Sequence, residues 1–317
     1  MKPLPRLALA AAVAAFAPLA ACVDPDAPEL GDHTVALHGG TLATPFMTAR
    51  AAVRLTTEAW AELHPAYQHQ MCTLTRIGPR HLVTTYHCQG GDQVQFYTDP
   101  TASDPGRTRT IVAQLRPADD EIIDSPHYPV VLVLDADVPW GATAKLAWEY
   151  PGPAVPVQVV GAGHFATGYN DVAELRYASD ATLSAGDADG TFQLAGRHAT
   201  FADFGGPIYQ ASRLLGVAWE CGSIVGHDCA LSVPPYLDFL LRSIDWAWPH
   251  GSPVVGYSAG TILDELAAGT ERVCQYACAE SRDCVAYNFN PTQQVCRLMS
   301  TRTQVLPLSN LWRSAAK

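Results

Sequence analysis

The fold of this chain is decided by Phe201-Ala-Asp-Phe-Gly-Gly-Pro207 and by the earlier stretch Cys72-Thr-Leu-Thr-Arg-Ile-Gly-Pro-Arg-His-Leu-Val-Thr-Thr-Tyr-His-Cys88. Both lie in a region, from about 34 to 240, where short β-rich runs recur between clusters of Gly, Pro and Asp. Such runs indicate an all-β sandwich or barrel. They include Ala51–Thr56, His81–Thr85, Gln93–Tyr97, Pro129–Leu134 and Val155–Val160. Beyond them, the residues from Tyr236 to Trp246 carry apolar side chains at helical spacing, which predicts a closing helix.

The two stretches together resemble the landmarks of trypsin/chymotrypsin-like serine proteases. In that family a T-A-A-H-C block holds the histidine base and a G-D-S-G-G-P block holds the nucleophilic serine. Further blocks follow in the family's order. They are Leu37-His-Gly-Gly40, Pro129–Leu134 with Val138-Pro139 after it, Val159–Gly163, Leu215–Trp219 and Tyr236–Trp246. The resemblance covers about 34–248 and implies a mainly β domain, a double six-stranded β-barrel with a C-terminal helix.

The residues at the family's catalytic positions do not form an intact triad. A serine protease needs a hydroxyl, a histidine base and an acid that orients the imidazole. By resemblance His87 occupies the base position, but Phe204 stands at the serine and Tyr128 at the acid. A phenyl ring cannot attack a carbonyl. Ala202 also replaces the glycine whose N–H completes the oxyanion hole. The resemblance therefore implies a protease fold without the protease reaction.

The sequence also lacks the cleavage site at which proteases of this family are activated. Asp203 is present where the family's aspartate pairs with a freed N-terminal amine, yet Asp32–Leu37 offers no Lys or Arg for the cut. Asp124 lies four residues too early to replace the acid unless its loop is rearranged. One alternative is an active endopeptidase with rearranged residues, in which a water or a serine such as Ser212 works with His87. Otherwise His87 is a core histidine without a function.

A second serine motif lies near the C-terminus. Val254-Val-Gly-Tyr-Ser-Ala-Gly260 contains G-x-S-x-G after an apolar pair, which resembles the nucleophile elbow of α/β-hydrolases. That family places its acid and histidine after the serine, but no histidine follows Ser258 in this chain. We interpret the motif as coincidental.

The last third of the chain has a distinct cysteine pattern, Cys274-x3-Cys278-x5-Cys284-Val-Ala-Tyr-Asn-Phe-x6-Cys296-Arg-Leu. Cys274 and Cys278 are one helical turn apart, so both can be bonded to a neighbouring sheet. Val285, Tyr287 and Phe289 alternate as in a strand. After a boundary near Trp248–Pro253, residues 254–317 therefore form a small disulfide-rich module.

This cysteine pattern resembles the PAN/Apple family. The resemblance implies a small α+β domain, the disulfides Cys274–Cys296 and Cys278–Cys284, and a unit that binds protein or carbohydrate. Its basic side chains are candidate binding residues or a solvated face: Arg272, Arg282, Arg297 and Arg302.

The N-terminus predicts export. Residues 1–21 combine a basic start with an apolar run of about 13 residues, too short for a bilayer and typical of a signal peptide. Leu19-Ala-Ala-Cys22 resembles the lipobox of bacterial lipoproteins, which implies acylation of Cys22 and a lipid anchor at the cell envelope. Residues 22–33 then form a tether. An ordinary secreted protein is the alternative.

The cysteine count and the charge indicate which disulfides, cofactors and partners the protein can have. Of nine cysteines, Cys22 leaves eight for four disulfides. By resemblance Cys72 pairs with Cys88, and proximity alone suggests Cys221 with Cys229. No cysteine group carries zinc-finger histidines, so no metal or other cofactor is expected. Residues 22–250 carry 26 acidic and 12 basic side chains, which argues against nucleic acid as a partner.

These observations predict a non-catalytic serine protease homologue, lipid-anchored at the envelope, that binds protein or carbohydrate through its C-terminal module. The alternatives are the rearranged endopeptidase described above and a purely structural envelope protein.

Overall fold

The computed structural model describes residues 41–42, 51–55, 72–88, 92–96, 107–122, 127–138, 142–161, 176–186, 190–195, 204–219, 227–250, 252–306 and 311–317. The chain divides into two units, Met1–His33 and Thr34–Lys317, and every described residue belongs to the second. The predicted signal peptide (1–21), Cys22 and the tether (22–33) lie outside the described residues. Within them, no helix is long and apolar enough to cross a membrane.

Strands dominate the described residues. Up to residue 232 they are, in chain order, β1 (Thr41–Leu42), β2 (Ala51–Leu55), β3 (Cys72–Gly78), β4 (His81–Thr85), β5 (Gln93–Phe96), β6 (Arg107–Leu115), β7 (Pro129–Leu134), β8 (Lys145–Leu146), β9 (Pro156–Gly161), β10 (Arg176–Gly186), β11 (Thr191–Ala195), β12 (Pro207–Gln210), β13 (Arg213–Trp219) and β14 (His227–Ser232). A short 3-10 helix, Tyr86–Cys88, follows β4. The mainly β class predicted from the sequence is confirmed.

The first barrel closes through antiparallel pairs in the order β2-β3-β4-β7-β6-β5, with β5 returning to β2. Every residue of β3 and β4 is buried, because both faces of these strands are covered. Leu82 and Leu132 lie in the cluster inside the barrel, whereas the neighbouring Val83 and Val131 lie in a larger cluster outside it. This alternation is the period of two expected for a strand.

The second barrel is built from β9 to β14. Its pairs run β10-β11-β14-β13-β12-β9, and β9 also pairs with β10, so the six strands complete a ring. β1 adds to β10, and β8 adds to β13 in parallel. After β14 a 3-10 helix, Pro234–Tyr236, leads into helix α1 (Leu237–Ser243), which buries Leu237, Leu240 and Leu241. The predicted closing helix is thus present and shorter than its sequence pattern.

The C-terminal module contains one helix and two sheets. Its elements are β15 (Val254–Val255), β16 (Tyr257–Ala259), β17 (Ile262–Ala267), α2 (Glu271–Glu280), β18 (Ala286–Asn290), β19 (Val295–Met299), β20 (Gln304–Leu306) and β21 (Arg313–Ala316). Five strands pair in the order β15-β21-β18-β19-β17, and β16 pairs with β20. Thr270 caps α2 by accepting the N–H of Val273 at 3.4 Å.

One hydrophobic cluster runs through both barrels and into the C-terminal module. It joins Val83 of the first barrel, Val217 of the second, Leu240 of α1 and Val273 with Cys274 of α2. Burial of apolar area is the main favourable term in folding, so this shared cluster makes the module's stability depend on the barrels.

Polar contacts fix the position of α2 on the second barrel. The N–H of Leu146 donates to the hydroxyl of Tyr276 at 2.7 Å. Tyr276 is only 5% exposed, and this burial raises the pKa of its hydroxyl. The Glu280 carboxylate forms an ion pair with Lys145 Nζ at 2.7 Å, and the Glu280 backbone carbonyl accepts from Arg213 at 3.3 Å. The end of α2 is therefore fixed to strands β8 and β13.

The start of α2 is fixed to α1. The Thr270 hydroxyl donates to Asp238 Oδ1 at 2.6 Å, so the residue that caps α2 also bonds to a residue of α1. The segment predicted as a domain boundary is packed as well. The ring of Trp246 lies edge-on to Tyr276 at 5.4 Å, and that of Trp248 lies edge-on to Tyr287 at 5.5 Å.

We expect Tyr276→Phe to lower the free energy of unfolding by about 1–3 kcal/mol, because the buried N–H of Leu146 loses its acceptor. Urea denaturation followed by tryptophan fluorescence measures this. Tyr150→Phe is the matched control. The Tyr150 hydroxyl is buried without a partner among the described residues, so its removal is neutral or stabilising. Equal losses in the two variants would contradict the role of the Leu146 bond.

Candidate functional site

The turn that carries the histidine position is held by a disulfide. The backbone of His87 lies in the 3-10 helix directly after β4, and its side chain lies outside the described part of the structure. The next residue, Cys88, is bonded to Cys72 of β3, with their Cα atoms 5.9 Å apart. The Thr85 hydroxyl also donates to Cys88 Sγ at 3.7 Å. Strand β4 and this disulfide therefore set where the histidine turn sits.

Phe204 is buried against that same disulfide. It is 8% exposed and belongs to the interior cluster of the first barrel, together with Cys72, Cys88 and Val130. Its carbonyl oxygen lies 3.5 Å from Cys88 Sγ. Phe204 therefore packs as a core residue of the first barrel, at the position that the sequence resemblance assigns to a nucleophile.

Gly205 allows this close approach. Its N–H donates to the carbonyl of Ala218 on β13 at 2.7 Å, while its Cα faces the first barrel. A Cβ at this position would overlap Thr84 Oγ1 and the carbonyl oxygen of Thr73, and its φ is +78°. Only glycine meets both conditions. Ala202 and Asp203 lie outside the described residues.

Tyr128, which the sequence resemblance aligns with the acid, packs against Tyr86. Tyr128 is half-buried, its ring centroid lies 5.3 Å from that of Tyr86, and its carbonyl accepts the N–H of Tyr86 at 3.2 Å. Asp124, the displaced alternative, lies outside the described residues. Tyr128 therefore serves as a packing residue next to the histidine turn.

The ring of His127 packs against Trp219, a contact that the sequence analysis missed. Its ring centroid lies 3.7 Å from that of Trp219, and its carbonyl accepts the Tyr236 hydroxyl at 3.2 Å. The gap lined by Thr85, Tyr86, His127, Tyr128, Trp219 and Leu231 has no room for a water molecule. No local pattern could have revealed this contact, because His127 and Trp219 belong to distant parts of the chain.

Ser258 is placed where it cannot act as a nucleophile. It lies in β16, fully buried, and the Asn288 side chain pairs with its backbone. The Asn288 amide accepts the Ser258 N–H at 2.6 Å and donates to its carbonyl at 3.0 Å. The G-x-S-x-G match is therefore a strand of the C-terminal module.

The C-terminal cysteines bond the helix to the sheet. Cys274 of α2 is joined to Cys296 of β19, and Cys278 of α2 to Cys284, with Cα separations of 5.5 and 5.3 Å. In the second barrel Cys229 is disulfide-bonded, while Cys221 lies outside the described residues. The described residues hold no group of three or more His, Cys, Asp or Glu that could bind a metal.

The four candidate arginines differ in their surroundings. Arg272 pairs with Asp238 of α1 at 3.4 Å, and Arg297 pairs with Glu265 at 2.6 Å and lies over the ring of Trp312. Both arginines therefore make contacts within the chain. Arg282 and Arg302 are exposed, and neither forms an ion pair with any described residue. These two remain available to a partner.

Comparison with known proteins finds different similarities for the two parts of the chain. A family model described as the PAN domain matches residues 255–314. Among solved structures, the scabies mite inactivated protease paralogue S-D1 aligns with a TM-score of 0.51 at 16% identity, over 66% of this chain and 98% of that one. The scabies mite paralogue S-I1 aligns with a TM-score of 0.52 at 17% identity, over 66% and 99%. A search of curated proteins finds no match.

These likenesses confirm the fold predicted from the sequence. The barrels have the trypsin-like fold, and the C-terminal module is a disulfide-bonded PAN domain. Identities this low show a shared fold and leave the activity to be argued from the site.

We expect Gly205→Ala to lower the free energy of unfolding by about 2–5 kcal/mol, because it adds left-handed backbone strain to overlap with Thr84 and Thr73. Gly152→Ala is the matched control. Gly152 has a φ of +87°, but a Cβ added there would meet nothing within 4 Å. It should cost only the backbone strain, about 1–2 kcal/mol. Urea midpoints compare the two, and equal losses would contradict close packing at Gly205.

Proposed function

We propose that this protein is a non-catalytic homologue of trypsin-like serine proteases that binds protein or carbohydrate through its PAN domain. The observation that carries the proposal is the burial of Phe204 in the first barrel's core, at the position of the family's nucleophile. A nucleophile must instead face the cleft within hydrogen-bond reach of its base.

The rest of the cleft supports the same conclusion. Tyr128 offers no carboxylate to orient an imidazole, and the contact of His127 with Trp219 leaves no room for water between them. Substrate hydrolysis needs both an oriented base and access for water. The packing at this site therefore favours a scaffold.

The position of Ser212 disfavours it as an alternative nucleophile. Ser212 lies in the exposed turn after Gln210, and the whole of β12 separates it from Phe204. At about 3.3 Å per residue, the strand spans roughly 10 Å, well beyond the reach of a hydrogen bond.

Export and anchoring through Cys22 belong to the same proposal and rest on the sequence of residues 1–33. The disulfides Cys72–Cys88, Cys274–Cys296 and Cys278–Cys284 support an oxidising compartment. A lipid on Cys22 would hold the PAN domain near the cell envelope, where a partner or glycan is presented.

We expect the purified protein to hydrolyse no member of a peptide library and to react with no fluorophosphonate. Phe204→Ser alone should stay inactive, because Tyr128 supplies no carboxylate. Loss of that orienting group alone costs a serine protease about 10⁴-fold in kcat. Cleavage that disappears in both His87→Ala and Ser212→Ala would instead establish the rearranged endopeptidase.

We expect saturable binding of the full chain to members of a glycan array or a peptide array. Exchanging Cys278 and Cys284 together for serine should weaken it at least about tenfold, because loss of a disulfide costs a small domain roughly 2–5 kcal/mol. The same exchange at Cys72 and Cys88 is the comparison, because it removes a disulfide outside the PAN domain and should weaken binding less. Absence of saturable binding on both arrays would favour a purely structural envelope protein.

A further inference from the structure

A groove lies where the second barrel meets the PAN domain. Trp148, Glu149 and Pro234–Pro235 line the barrel side, and residues 265–269 at the end of β17 line the other side. Its volume is about 470 Å³, within the range of sites that hold small ligands or short peptide segments. The groove shares no lining residue with the gap between His127 and Trp219.

One wall of the groove is an open strand edge. Among the described strands, β17 stands at the end of the five-stranded sheet and pairs only with β19. The N–H of Ala268 donates to Gln294 at 2.8 Å, so Ala268 faces β19. Backbone groups alternate in direction along an antiparallel strand, and the N–H and C=O of Ala267 therefore point away from β19.

The neighbouring residue supports this direction. The N–H of Glu265 donates to Asp264 Oδ1 at 2.8 Å, which is a side-chain acceptor and not a strand partner. Across the groove, Pro234 and Pro235 have no N–H to donate to the C=O groups of the edge. The C=O and N–H of Ala267 therefore remain available to an added strand.

The groove is also acidic. Burial raises the pKa of Glu149, and the charge of Asp264 raises it further. Glu265 lies on the same wall and is paired with Arg297. The charge of Arg213 acts in the opposite direction and lowers the pKa of Glu149, but its guanidinium lies 3.4 Å from the centre of the Trp148 ring and donates to the Glu280 carbonyl. A cation near Glu149 would relieve its repulsion with Asp264.

We propose that this groove binds an extended peptide segment of a partner protein that pairs with β17 at Ala267 and places a Lys or Arg side chain beside Glu149. Strand addition supplies backbone hydrogen bonds, and the charge selects among sequences. The assignment rests on the proposed binding role of the PAN domain and names its partner class.

The test uses the full chain and two labelled peptides, acetyl-Val-Lys-Val-Lys-Val-amide and acetyl-Val-Glu-Val-Glu-Val-amide, in fluorescence anisotropy titrations. The Lys peptide should bind saturably, and the Glu peptide at least about tenfold more weakly. Glu149→Gln should weaken Lys-peptide binding about fivefold. Asp120→Asn removes the same charge from an exposed site outside the groove and should leave binding unchanged.

A pair of proline variants tests the strand edge. Ala267→Pro removes the outward N–H and should weaken the Lys peptide at least about fivefold, without breaking the pairing of β17 with β19. Val255→Pro is the control at the opposite edge of the same sheet. Because Gly256 donates to Trp312, the N–H of Val255 also points outward there.

The proposal is overturned if neither peptide binds, if both bind equally, or if Ala267→Pro binds like the wild type. These failures are distinct from failure of the proposed function. Array binding that is unchanged in Ala267→Pro would keep a binding role for the PAN domain and place it on another surface. No saturable binding in any assay would overturn both.

Discussion

The structure depends on the close packing of Phe204 and Gly205 against the first barrel. Gly205 belongs to the segment that enters β12, and its N–H bonds to Ala218 of the second barrel. Its other side touches Thr84 and Thr73 of the first barrel. The same short segment thus joins the two barrels, and it does so only because Gly205 lacks a Cβ. Phe204, next to it, is a core aromatic of the first barrel.

Aromatic side chains packed near the histidine turn add to the stability of the barrels. The rings of Tyr128, His127 and Trp219 pack near the histidine turn, and Phe204 packs in the core of the first barrel. Buried apolar area stabilises the fold, so these packed rings add to its stability. The second barrel then acts as a platform. Tyr276 accepts the N–H of Leu146 on this platform, and α2 of the PAN domain is held in one place.

Because the PAN domain is held in place against the second barrel, the two parts form a groove together. The groove beside β17 has one wall from each part, Trp148 and Glu149 from the barrel and residues 265–269 from the PAN domain. Neither part makes it alone. The second barrel therefore supplies one wall of this groove.

The sequence by itself determined the fold class, the course of strands such as β4 and β7, and the helix that carries Cys274 and Cys278. These features follow from local periodicity and from fixed spacings between neighbouring residues. Tertiary structure alone decided that Phe204 is buried, that His127 closes on Trp219, and that β17 faces a groove. It also decided the bond between Tyr276 and Leu146, which lie 130 positions apart. Such contacts arise only when distant segments are packed together.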